Sequence, residues 1–174
     1  MHSTKKGGQW YFGMKVHAGV DAGSGYVHTI IGTSANVHDV TQPHALIRED
    51  DGVVSGDSGY LGVEKRQEIR EDERLSKVDF RINRRPGSIK TLGVGRSYDR
   101  SRESRKLSTR SKVEHLFQIV KRYFGCRKTS YRGIAKNMNK FFVLFGCANL
   151  VMCLRAGRTE ELSACGAYPI TVSV

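Results

Sequence analysis

Residues 9–21 alternate strictly between two kinds of side chain. Trp10, Phe12, Met14, Val16, Ala18 and Val20 fall on one side, and Tyr11, Lys15, His17 and Asp21 on the other. A period of two over this length specifies a long β-strand. Ala22-Gly23-Ser24-Gly25 has the composition of a turn. The β-branched and aromatic run from Tyr26 to Thr33 then reads as the returning strand of a hairpin. Because Trp10 and Phe12 share a face with Met14 and Val16, the aromatics of the first strand are expected in the core, not on a base-stacking platform.

Downstream, the pattern changes between helix and strand. Asp39 or Thr41 can cap a short helix from about Thr41 to Glu49, with Pro43 in its first turn. Gly52 to Gly56 reads as a short apolar strand ending at Asp57. Val63 to Leu75 is polar and rich in opposite charges at helical spacing, and Val78 to Asn83 reads as a weaker strand. Residues 84–108 form a basic loop. The clearest helix runs from Arg110 to Phe124, with Val113, Leu116, Phe117, Val120 and Phe124 on its apolar stripe. Asn137 to Arg155 reads as an apolar helix packed in the core. Residues 156–174 show no periodicity and are expected to be an irregular tail. The order predicts one α/β domain over residues 1–155.

The longest apolar run, Phe141 to Leu154, is 14 residues and contains Asn149, short of the roughly 20 that span a bilayer. No membrane role is expected. The start of the chain is polar and unlike a secretory signal. Four cysteines, at 126, 147, 153 and 165, form no C-x-x-C pair, which favours reduced thiols and a cytoplasmic protein. His17, His28, His38, His44 and His115 have no ligand spacing, which argues against zinc.

The formal charge is +12, and its placement is uneven. Residues 101–150 hold 12 basic and 2 acidic side chains, whereas residues 1–50 hold 4 of each. A positive field concentrated in one third of the chain suits a polyanion, most often nucleic acid.

Two acids stand out. Asp57 follows a short apolar strand within Gly56-Asp57-Ser58-Gly59-Tyr60, where α/β folds present functional groups. It could equally start a turn. Glu114 shares a helix face with Arg110, Gln118 and Lys121. It could form an ordinary ion pair with Arg110, or hold a divalent metal beside a phosphate bound by the neighbouring cations.

Several segments together resemble the DDE class of bacterial insertion-sequence transposases, in the insertion sequence four/five group. They are Lys5-Lys6-Gly7, Gln9 to Lys15, Gly19-Val20-Asp21, Ala35-Asn36-x-His38-Asp39, Gly56 to Tyr60 and Arg110-x-x-x-Glu114-His115-x-Phe117. The spacing Arg, three residues, Glu, six residues, Lys is met by Arg110, Glu114 and Lys121, with Leu107 where that pattern often has Tyr. The resemblance implies a ribonuclease-H-like mixed sheet flanked by helices. It implies two Mg²⁺ ions held by two Asp and one Glu, catalysing cleavage and transfer of DNA strands at transposon ends. Asp57 and Glu114 take the positions of the second Asp and the Glu, as catalytic residues and metal ligands. Arg110 and Lys121 take those of helix-borne DNA contacts. Lys112, Arg122, Arg84 and Arg85 are further candidates for binding double-stranded DNA.

In the family, the first Asp lies on a strand upstream of the segment that begins here. The expectation is therefore a truncated, inactive C-terminal fragment whose sheet lacks its central first strand and exposes two edges. Asp21 falls at the wrong end of its strand to replace the first Asp. Asp39 follows the next strand and could sit on the correct edge, about 9–10 Å from the missing position at the usual strand spacing, but a helix-capping role is preferred for it. The chain is expected to act in the bacterial cytoplasm, at the nucleoid, as a homo-oligomer or in association with a full-length transposase. The rival readings are a non-enzymatic DNA-binding remnant that competes with or regulates the full-length enzyme, and a basic RNA-binding accessory protein.

Overall fold

The computed structural model describes residues 1–83, 110–157 and 169–173. The basic loop 84–108, with Arg84 and Arg85, lies outside the described residues.

The long strand is β2 (Gln9–Asp21), and its partner is β3 (Val27–Ser34), paired antiparallel from Met14↔Ser34 to Val20↔Val27. Asp21 closes the turn between them, its Oδ1 accepting from the Ser24 backbone N–H and from Ser24 Oγ. A further strand, β1 (His2–Lys6), pairs antiparallel with the first half of β2. The sequence reading missed it, although Gly7-Gly8 carries the signal. Both residues have positive φ, 57° and 84°, as the commonest two-residue hairpin turn requires.

The next elements are a single-turn helix α1 (Pro43–Leu46) and strand β4 (Val53–Gly56). A single-turn helix α2 (Gln67–Arg70) and strand β5 (Asp79–Ile82) follow, with β5 parallel to β4. The continuous helix expected over Val63–Leu75 does not form. The segment instead makes three short turns at Val63–Lys65, Gln67–Arg70 and Leu75–Lys77. It has too few buried apolar positions for a stripe, and short helices without one are marginal in water. Asp72 Oδ1 also accepts from the backbone N–H groups of Arg74 and Leu75, at 2.9 and 3.1 Å, which starts a new turn.

Helix α3 spans residues 110–122 and helix α4 Ile134–Ala156. Val113, Leu116, Phe117, Ile119 and Val120 of α3 pack with Val16, Ala18, Val20 and Ile30 of the hairpin and with Met138, Phe145 and Ala148 of α4. The Phe117 and Phe145 rings meet edge to face at 5.3 Å. Gly32 permits the approach of α4 to β3, since a Cβ there would overlap Met138 Sδ. A second cluster, including Ile47, Val54, Val63 and Leu75, surrounds β4.

Helix α4 is less buried than its composition suggested. Phe142, Val143, Leu150 and Leu154 are exposed, and only Asn137, Met138, Phe145 and Ala148 are buried. At 23 residues it is long and apolar enough to cross a membrane by length and composition, beyond what its 14-residue apolar run indicated. Its two asparagines have structural partners. Asn149 pairs both ways with the Val27 backbone, at 2.9 and 2.8 Å. Asn137 accepts from the Ser130 and Tyr131 N–H groups and donates to the Tyr131 and Gly133 carbonyls.

The tail also differs from expectation. Residues Pro169–Ser173 form β6, which lies between β2 and β4. It runs antiparallel to β2, with Ala18↔Val172 and Val20↔Ile170, and parallel to β4, with Ser55↔Ile170 and Gly56↔Thr171. The sheet order is β1-β2-β6-β4-β5, with β3 also on β2. The two open edges expected between β2 and β4 are therefore closed, and the fold is a mixed α/β sheet with helices.

Candidate metal and DNA site

Asp57 follows the last residue of β4. It caps the turn Ser58–Tyr60, with Oδ1 accepting from the Gly59 N–H. Arg110, the first described residue of α3, lies beside it. Arg110 Nη1 lies 3.7 Å from Asp57 Oδ2, and Arg110 Nε lies 2.9 Å from Glu114 Oε1. Nε is buried without an aligned hydrogen bond, so its contact with Glu114 is ionic. One guanidinium thus joins the two carboxylates that the sequence singled out, across a separation of 57 residues in the chain. Both simpler readings hold as well, since Asp57 caps a turn and Glu114 pairs with Arg110 one helical turn away.

A third acid lies near. Asp39 Oδ2 and Asp57 Oδ1 are 3.7 and 3.2 Å from the point that a Cβ on Gly59 would occupy. Asp39 does not cap a helix, because neither the turn Asp39–Thr41 nor α1 has a side-chain cap. Its carboxylate faces Lys15 Nζ at 3.1 Å, and Lys15 also donates to the Val37 carbonyl. Asp39 opens its turn with its carboxylate held by Lys15 beside the Asp57 turn, not capping a backbone N–H. Asp21 is committed to its own hairpin turn. Buried His17 bonds Thr33 Oγ1 at 2.8 Å. Burial holds its pKa below the usual imidazole value, so near neutral pH it adds no charge to the site.

The cations divide by role. Lys112 donates to the Ala22 and Gly23 carbonyls, which ties α3 to the β2–β3 turn and commits its ammonium group. Arg122 is exposed. Lys121 sits 5.9 Å from the Phe117 ring. It also borders a cavity of about 150 Å³ whose lining includes Arg127, Lys128, Met14 and Phe141. The sequence reading counted Arg127 and Lys128 only in the net charge. Their clustering depends on the loop between α3 and α4, which has no periodicity to read.

The donor set fits a hard divalent cation. Asp57 and Glu114 already share one positive group, and Mg²⁺ commonly takes one or two carboxylates from protein and the rest of its octahedron from phosphate and water. Among the described residues, no three His, Cys, Asp or Glu side chains converge into a full metal cage.

Two carboxylates joined at a strand end, beside a helix that carries Arg110, Lys112, Lys121 and Arg122, suit a phosphate-bearing ligand. Comparison with known families is more specific. Residues 1–150 match the family described as Transposase DDE domain, and the chain belongs to that family. No solved structure matches the chain. Membership brings with it a role in DNA transposition, DNA binding and the use of divalent metals.

Proposed function

We propose that this chain carries the catalytic region of an insertion-sequence transposase of the four/five group, with a ribonuclease-H-like arrangement of its sheet, acting on bacterial DNA in the cytoplasm. Asp57 and Glu114 would hold a divalent cation, which when bound would supply Lewis-acid activation for phosphodiester cleavage and strand transfer. Arg110, released from the carboxylates, turns to a DNA phosphate. Lys121, Arg122, Arg127 and Lys128 fix the duplex by its backbone, without reading sequence. The observation that carries this reading is the Arg110 bridge between Asp57 and Glu114.

A second reading is favoured by the lack of a third converging acid among the described residues. In it, the chain binds DNA but leaves it uncut, and competes with or regulates a longer transposase. One assay separates the two. Supercoiled plasmid is incubated with the protein in Mg²⁺ or Mn²⁺, and DNA binding is measured in parallel. Metal-dependent nicking that disappears in both Asp57→Asn and Glu114→Gln, with binding retained, supports the enzyme. Binding without nicking supports the regulator. Nicking that also disappears in Asp39→Asn assigns Asp39 as the third ligand.

A further inference from the structure

The first half of β2 stands apart from the rest of the sheet. Residues Gln9–Gly13 pair with β1 in the register Lys5↔Trp10, Thr4↔Tyr11 and Ser3↔Phe12, and β3 joins β2 only from Met14 onward. This two-stranded ribbon does not bury its aromatics, contrary to the sequence reading. Trp10 is 69% exposed, Tyr11 51% and Phe12 72%. Residues two apart on a strand share a face, about 7 Å apart. Trp10 and Phe12 therefore lie side by side, in line with Met14 and Val16. Lys5, directly opposite Trp10, projects from the same face.

That face continues into charged ground. Met14 and Val16 line the cavity that Lys121, Arg127 and Lys128 border. The first twenty residues contain no Asp or Glu. An exposed aromatic pair normally marks an interaction surface. Among the described residues, the charged groups placed on this side are Lys5, Lys121, Arg127 and Lys128, all cations, which favours a polyanion over a protein surface of mixed sign. Aromatic rings bind nucleic acid by stacking on base faces, and those faces are free only where bases are unpaired.

We propose that the β1–β2 ribbon is a stacking platform for unpaired bases of DNA, with Trp10 and Phe12 as the platform and Lys5 on the adjoining phosphate. The adjacent duplex then lies along Lys121, Arg127 and Lys128. This rests on DNA as the partner, and adds that the ligand has a single-stranded segment beside a duplex.

Trp10 is the only tryptophan in the chain, so its emission reports on the ribbon directly. Purified protein is titrated with a short blunt duplex, and with the same duplex carrying a single-stranded thymine flank. Emission and fluorescence anisotropy of labelled DNA are followed together. The flanked duplex should quench Trp10 strongly and bind at least about fivefold tighter than the blunt one, the low end of what one stacked base contributes. Phe12→Ala keeps the probe and removes one exposed ring. It should bind the blunt duplex as before and lose most of the preference for the flank. Equal emission and affinity for the two DNAs would overturn the platform while leaving DNA binding in place. A concentration-dependent blue shift without DNA would overturn it in favour of a second copy covering the ribbon. Failure to bind either DNA would overturn both the platform and the transposase reading.

Discussion

At the scale of residues, Arg110 decides how the site behaves before any ligand arrives. Its side chain is 38% exposed, that of Asp57 27% and that of Glu114 51%. Each pair is therefore partly screened and worth only about 0.2–1 kcal/mol. On the proposed reading, metal and guanidinium would compete for the same carboxylates, so Arg110→Gln should tighten Mn²⁺ binding by the protein alone, about two- to tenfold. Electron paramagnetic resonance titration of free Mn²⁺ measures this, and weaker binding in the variant would refute the competition. Asn137 is the opposite kind of residue, 1% exposed and fully hydrogen-bonded to the loop before α4. Asn137→Ala strands the Ser130 and Tyr131 N–H groups and the Tyr131 and Gly133 carbonyls, and should cost about 1–3 kcal/mol in urea denaturation. Burial, reinforced by Arg48, lowers the His28 pKa to about 4. A histidine with a depressed folded pKa binds its proton more readily when unfolded. Its contribution to stability is therefore present above pH 6.5 and is lost as pH falls from there toward 4. Melting temperature should decline over that interval, and His28→Gln should flatten the decline.

At the scale of elements, β6 holds two halves of the sheet together. Removing it would leave the His17–Asp21 segment of β2 and the end of β4 without a partner between them, and open edges invite association. Thr171 pairs with Gly19 on one side and Gly56 on the other. Proline cannot donate to a ladder and is not accommodated in central strands. Thr171→Pro should therefore broaden the thermal transition and produce concentration-dependent aggregation, read by light scattering; a sharp, unchanged melt would remove β6 from the folded core. The elements legible in the sequence were those with a strong period. The β2–β3 hairpin alternates over thirteen residues in its first strand, and α3 repeats apolar residues at 113, 116, 117 and 120. Strand β6 escaped notice because five residues, Pro-Ile-Thr-Val-Ser, have no period of their own and are ordered by two neighbours far away in the chain. Residues 63–75 misled because paired charges imitate a helix face without an apolar stripe to anchor it. In the candidate site, the motifs singled out Asp57, Glu114 and Arg110, and the structure brings these three side chains into contact. Asp39 was read as able to reach the same edge, but the helix cap preferred for it does not form, and its ion pair with Lys15, two strands earlier in the chain, has no sequence signal.

At the scale of the whole molecule, the surplus charge becomes a surface only after folding has sorted the cations. Arg110 and Lys112 are engaged by protein oxygens. Lys121, Arg127 and Lys128 gather at one cavity, and Arg122 lies exposed on the same helix as Lys121. If roughly six phosphates are neutralised, the logarithm of the binding constant for duplex DNA should fall with the logarithm of salt concentration at a slope near −5. Little dependence on base sequence is expected, because backbone contacts position a duplex without reading it. The structure then separates two lysines that the composition treats alike. Lys128→Gln should reduce the slope by about 1 and weaken binding uniformly across sequences. Lys112→Gln should leave the slope unchanged and instead loosen the β2–β3 turn, lowering the melting temperature. Filter binding at several salt concentrations, with a thermal melt of each variant, measures both. Equal slope losses in the two variants would mean that Lys112 leaves the Ala22 and Gly23 carbonyls to meet DNA, and that α3 shifts relative to the hairpin when it binds.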